Sequence, residues 1–143
     1  MAANLLRAFL FCLAFIAPAA AQPAITPDDL FEIRAVINRQ IDAFRRDDAQ
    51  GAFALVSPAV QQSFGTPERF LDVVRAAYRP VYRPAAIQFL EPVMFGTDAV
   101  QPLQLTDRAG AVWLAYYAMQ RQKDGSWRAS GCHLVQPAKT VPT

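Results

Sequence analysis

Apolar residues keep a helical spacing from residue 30 to residue 78 and change to strand-like alternation from residue 87 onward, predicting a helical half followed by a sheet. Leu30, Ile33, Ile37, Ile41 and Phe44 form one stripe, with Glu32, Arg39, Asp42, Arg45 and Arg46 on the other surfaces. Thr26, Pro27, Asp28 and Asp29 mark its start: an N-cap, a proline tolerated in the first turn, and acids at the positive end of the helix dipole. Asp42 and Arg46 are spaced to pair one turn apart. Asp47 and Asp48 open a second, shorter helix through Phe53 and Val56, closed by Ser57 and Pro58. Thr66, Pro67 and Glu68 open a third, whose apolar face runs from Phe70 to Tyr78 and which ends at Arg79, before Pro80. The repeat Tyr-Arg-Pro, Val, Tyr-Arg-Pro at residues 78–84 then reads as a stiff, non-helical connector.

Four strands follow, Ile87–Phe95, Val100–Thr106, Ala111–Arg121 and Trp127–Val135. The last two gaps between them are hairpin turns, with Asp124 and Gly125 supplying positive φ in the second. Pro102 cannot donate to a ladder, which weakens the second strand or places it at an edge. On the third strand Val112, Leu114, Tyr116 and Ala118 alternate with Ala111, Trp113, Ala115, Tyr117 and Met119, so neither face is polar. An antiparallel strand with one solvated face alternates apolar and polar residues, so this one has both faces covered. The cover is a second copy of the chain or other elements of the same one, and a homodimer through the sheet is the favoured expectation.

Ahead of the first helix lies an export signal: Arg7, an apolar run from Ala8 to Ala17, Pro18, and then Ala19, Ala20 and Ala21, with cleavage expected after Ala21. The fourteen uncharged residues Ala8–Ala21 fall short of the roughly twenty that span a bilayer as a helix. Cys12 follows Leu10 and Phe11 rather than small residues, which argues against lipid anchoring. The expected organisation is therefore a signal peptide at 1–21, one domain at 22–135 and a disordered tail at 136–143, in a periplasmic or secreted protein that leaves the membrane once cleaved.

Charge and cysteines narrow the function. Fourteen basic residues against twelve acidic ones, with no basic run beyond Arg45–Arg46, give no footprint for nucleic acid or an anionic membrane. Of the two cysteines only Cys132 survives cleavage; it cannot form an intramolecular bridge and is expected to be buried in its strand. His133 is the sole histidine, and as strand neighbours the two point to opposite faces and cannot form a dyad. One His and one Cys do not make a metal site either, so neither a metal nor a cofactor is expected.

The element order, the aspartate pair closing the first helix, the stretch Ala52–Pro58, and the run Asp124, Gly125, Ser126, Trp127, Arg128 resemble the nuclear transport factor 2-like superfamily. Tyr82-Arg83-Pro84 and Gly131-Cys132 are similar to a bacterial family of exported domains of unknown function. The resemblance covers Ile25 to Val135 and implies an α+β cystatin-like cone, three N-terminal helices on a curved four-stranded antiparallel sheet, with an apolar pocket at its wide end and frequent homodimers. This fold carries isomerases, dehydratases, cyclases and plain binding modules, so fold alone does not choose among them.

The enzymes of that superfamily use acids and bases inside the cone. Here Asp98, Asp107 and Asp124 fall in predicted turns and Asp42 and Asp72 on exposed helix faces, leaving Glu91 as the one acid within a strand. No catalytic residue is assigned, and the expectation is a noncatalytic module binding a small amphipathic ligand or a partner protein in the cone. The alternative is a cofactor-free isomerase, dehydratase or cyclase in the same pocket. The candidate ligand contacts are Tyr78, Tyr82, Arg83, Trp113 and His133. Two phenols and the guanidiniums of Arg79 and Arg83 near the end of the third helix suit a carboxylate or an aromatic ligand. The competing reading is structural: arginines stacked on tyrosines to hold a proline-rich crossover, and His133 as an ordinary surface or satisfied side chain.

Overall fold

A computed structural model describes residues 24–138. The expected signal over residues 1–21 and the end of the expected tail, residues 139–143, lie outside the described residues. Five helices precede five strands: α1 (Pro27–Arg45), α2 (Ala49–Phe53), α3 (Pro58–Phe64), α4 (Pro67–Ala77), α5 (Arg79–Tyr82), then β1 (Ala86–Phe89), β2 (Val93–Phe95), β3 (Asp98–Thr106), β4 (Val112–Arg121) and β5 (Trp127–Val135). The class is the expected α+β, with more elements than the sequence predicts. None of the described helices is long and apolar enough to cross a membrane.

The two long helices start where local chemistry directs. Thr26 and Asp29 form a capping box: Thr26 Oγ1 accepts from the Asp29 N–H at 3.1 Å, and the Asp29 carboxylate accepts from the Thr26 N–H at 3.2 Å. Thr66 caps α4 through Arg69 N–H at 3.2 Å. The α1 stripe buries Ile33, Ile37, Ile41 and Phe44, as its spacing predicts, and with them Gln40. At the helix end Asp42 pairs with Arg45 at 3.2 Å rather than with Arg46, whose partner is Asp48 at 3.9 Å.

Proline placement explains the two extra helices. Ser57 does not close α2; its hydroxyl caps α3 through Val60 N–H, and Pro58 occupies the first turn. The connector, expected to be non-helical, contains the single turn α5, because Pro80 sits in its first turn, where a missing N–H costs nothing.

The sheet is antiparallel, in the order β1-β3-β4-β5, with β2 also pairing β3. The expected first strand breaks into β1 and β2, and Pro102 lies in the doubly paired β3 rather than at an edge. These two departures share a cause. Leu90 N–H donates to the Pro102 carbonyl at 3.0 Å, but Pro102 has no N–H to return, so the ladder stops there. The Leu90 carbonyl is served instead by the buried Gln101 amide at 2.6 Å and by Arg34 at 3.3 Å. In the last hairpin only Gly125 has positive φ, at 87°; Asp124 instead accepts from the Ser126 N–H and hydroxyl.

The helices pack on one sheet face, which contributes Leu103, Leu105, Ala115, Tyr117, Met119 and Trp127 to the core. The other face carries Val93 (51 % exposed), Phe95 (64 %), Val112, Tyr116 and Val135 without an intrachain cover among the described residues. Between these faces one detail reassigns side chains. Met119 pairs Ala129 but Ala118 pairs Gly131, leaving Ser130 as an extra residue in β5. Trp127 and Ala129 point into the core, and the bulge then inverts the alternation, so Cys132 and Leu134 point in while Gly131, His133 and Val135 point out.

Candidate functional site: an apolar pocket between helices and sheet

α1, α3, α4 and the β4–β5 pair enclose a cavity of about 280 Å³, near the lower end of the roughly 300–1,000 Å³ of small-ligand sites. Phe70 is the centre of its helical wall. Its ring lies 6.0 Å from Phe44, 5.7 Å from Phe53 and 5.2 Å, edge-on, from Phe64. Val73, Val74 and Tyr78 continue the wall along α4, and Tyr117 and Cys132, cross-strand neighbours, form the sheet side.

Polar groups on this lining are few and uncharged. Gln40 reaches the Ala52 carbonyl through Nε2 at 3.3 Å. Tyr117 is only 2 % exposed, and burial pushes its phenol well above the ordinary tyrosine range. Burial pushes the Cys132 thiol up to about 12, so it stays protonated and is not a thiolate nucleophile at neutral pH. No Asp, Glu, Lys, Arg or His of the described residues lines the cavity. Among the described residues no group of three or more His, Cys, Asp or Glu side chains is placed to hold a metal.

The sequence-predicted contacts separate into three places. Tyr78, at the end of α4, lines the apolar pocket. Tyr82, Arg83 and Trp113 line a second, more open cleft of about 510 Å³, with Arg79, Asp107 and Arg108. His133, a candidate ligand contact, lines neither; the β5 bulge turns it to the outer sheet face opposite Tyr116, where it is exposed. Glu91, the one acid expected within a strand, is exposed in the break between β1 and β2.

Within the second cleft most polar groups already have partners. The Tyr82 hydroxyl donates to Asp47, and Arg83 donates to Asp47 at 3.1 Å and to the Tyr82 oxygen at 3.1 Å, with its guanidinium 4.8 Å from the Tyr82 ring centre. Arg75 adds a 3.4 Å contact to Asp47 from α4. The Tyr82 hydrogen bond foremost, then the two arginines, holds the Asp47 carboxyl below the ordinary range. Asp47 itself has φ 52°, a conformation aspartate tolerates better than most residues. The cluster thus ties the end of α1 to α4 and the crossover. Trp113 donates to Asp107 at 3.0 Å, and this bond leads the backbone N–H groups of Ala111 and Ala109 in holding that carboxyl low.

The family model described as "Domain of unknown function (DUF4864)" matches residues 26–141, most of the chain. The chain belongs to this family. Among solved structures, the chain's fold is similar to that of a Nostoc punctiforme PCC 73102 protein of unknown function with a cystatin-like fold: TM-score 0.55, 14 % identity, covering 80 % of this chain and 96 % of that one. A Streptomyces avermitilis protein described as "a putative dehydratase from the NTF2-like family" matches with TM-score 0.51 and 14 % identity, covering 78 % of this chain and 99 % of that one. Aln2 from a Streptomyces species matches with TM-score 0.51 and 15 % identity, covering 81 % of this chain and 94 % of that one. No curated protein matches. At these identities the likeness is one of fold.

Sequence reasoning passed over Tyr117, Gln40 and Phe70 as pocket residues. Gln40 alone carried a signal, a polar side chain inside the stripe formed by Ile37, Ile41 and Phe44. Tyr117 carried none, since both faces of its strand are apolar.

Proposed function

We propose that this domain is an exported, noncatalytic binding module that takes a small amphipathic molecule, or an apolar segment of a partner protein, into the pocket between helices and sheet. One observation carries the reading: a cavity of about 280 Å³ with aromatic and aliphatic walls, on which no Asp, Glu, Lys, Arg or His of the described residues lies and the Tyr117 phenol and Cys132 thiol are held protonated by burial. General acid–base catalysis needs a group that exchanges a proton near the operating pH within hydrogen-bond reach of the substrate, and burial moves this phenol and thiol away from that range. The alternative, a cofactor-free isomerase, dehydratase or cyclase, draws on the description of the S. avermitilis neighbour, but Glu91 and Asp107 lie off the pocket lining.

The test is titration with the neutral fluorophore N-phenyl-1-naphthylamine, whose emission rises in apolar surroundings. Saturable binding is expected for the wild-type domain and loss of binding for Val73→Trp, which fills the half-buried wall of the pocket. A probe that binds neither protein, or both equally, rules the pocket out.

Export and self-association belong to the same proposal. The apolar outer face, with Val93, Phe95, Tyr116 and Val135 exposed, supports pairing of two copies across the sheet. Native mass spectrometry of protein recovered from an exporting host is expected to give twice the mass of a chain beginning at Gln22. A monomer overturns the dimer, and a retained Met1 overturns the cleavage.

A further inference from the structure

Tyr117 is buried as a residue, and no hydrogen bond from another described side chain engages its hydroxyl. Every fully enclosed polar side-chain atom of the described residues does have one. The phenolic oxygen therefore keeps some of the small accessibility left to Tyr117, and Tyr117 lines the apolar pocket. A hydroxyl that keeps access to the cavity and is engaged by no other side chain is free to donate to a ligand atom. Because burial keeps the phenol protonated, it offers a donor.

The rest of the lining decides what that donor faces. With no arginine, lysine or histidine on the walls, a carboxylate or phosphate entering the cavity would lose its hydration without gaining a counter-charge, which is strongly unfavourable. An ammonium meets the same obstacle, since no carboxylate lines the cavity. An uncharged acceptor meets none.

We infer that the pocket selects a small uncharged carbonyl compound, its apolar body against Phe44, Phe64 and Phe70 and its carbonyl oxygen accepting a hydrogen bond from Tyr117. The inference rests on the binding reading above and adds the chemistry of the ligand's polar end. The hydroxyl is engaged by no other described side chain, so its removal breaks no such bond within the fold.

Two probes of equal chain length test it, 2-octanone and octanoate, each used to displace N-phenyl-1-naphthylamine at pH 7 from wild type and from Tyr117→Phe. In the wild type the ketone is expected to displace the fluorophore at a concentration at least about tenfold below that of the carboxylate. In Tyr117→Phe that ratio is expected to shrink by about three- to tenfold, the worth of one hydrogen bond, with no fall in melting temperature. Equal displacement by both probes in the wild type, or an unchanged ratio in the variant, overturns the inference while the pocket itself still binds. A wild-type domain that never binds the fluorophore overturns the pocket reading and the inference together. A fall in melting temperature for Tyr117→Phe shows the hydroxyl to be bonded within the fold and likewise overturns it.

Discussion

Trp127→Ala is expected to cost about 3–5 kcal/mol of folding stability, the range for deleting a large buried aromatic ring. Trp127 is among the largest fully buried side chains and opens the last strand, where its loss leaves a cavity that small neighbours such as Ala129 cannot refill. It also joins the two halves of the chain: its indole N–H donates to Asp29 at 3.3 Å, and Arg121, 4.6 Å from the ring centre, donates to the same carboxylate oxygen at 2.6 Å. Trp127→Phe keeps most of the volume and is expected to cost less, about 1–2 kcal/mol. Urea unfolding of the three proteins gives the comparison, and a Trp127→Ala loss under about 1 kcal/mol would contradict this account.

The acid limb of stability is expected to follow the same cluster. Burial alone would raise the Asp29 carboxyl, but hydrogen bonds from Thr26, Arg121 and Trp127 outweigh it and hold the group below the ordinary carboxylate range. A carboxyl depressed in the folded state stabilises fully above its unfolded pKa of about 3.9, and that contribution is lost as pH falls through the lower folded value. Removing Trp127 takes away one of those donors and is expected to make this acid loss smaller.

Phe70→Ala is expected to cost a similar amount, about 3–5 kcal/mol, and to change the pocket at the same time. Phe70 packs against three other phenylalanines and forms the pocket wall, so truncation removes core contacts and enlarges the cavity that a ligand can fill. The variant should therefore melt well below wild type when empty. It should recover more than wild type does at the same concentration of N-phenyl-1-naphthylamine, since the enlarged cavity binds the probe more tightly and stabilisation grows with the ratio of ligand to dissociation constant, reaching about 2.7 kcal/mol at a ratio of about 100. A Phe70→Ala protein that loses stability but gains nothing from the probe would separate the aromatic cluster from ligand binding.

Which parts of this were legible beforehand follows from how far each signal reaches along the chain. The helix starts at Thr26 and Thr66 were readable because a cap is a contact between residues three apart. The burial of Ile33, Ile37, Ile41 and Phe44 was readable because helical period alone puts them on one face. Ser57-Pro58 and Pro80 were misread because proline ends a helix from within but begins one from its first turn, and local sequence supports both. Tyr82 and Arg83 drew attention as an aromatic and cationic pair, but their partner Asp47 lies thirty-five and thirty-six residues away, out of reach of any local pattern.

The sequence by itself determined the class of the fold, because period, caps and turns are local properties that decide which segments become helix and which become strand. Only the tertiary structure decided what faces the pocket. One extra residue at Ser130 inverts the alternation of β5, carrying Cys132 inward and His133 outward, and nothing in the spacing of that strand announces it. The missing N–H of Pro102 became a break between β1 and β2 only once Leu90 was its ladder partner. Tyr117 became a pocket residue because helices from the other half of the chain pack over its strand and form the opposite wall. Pairings of this range are settled by packing, after the local elements have formed.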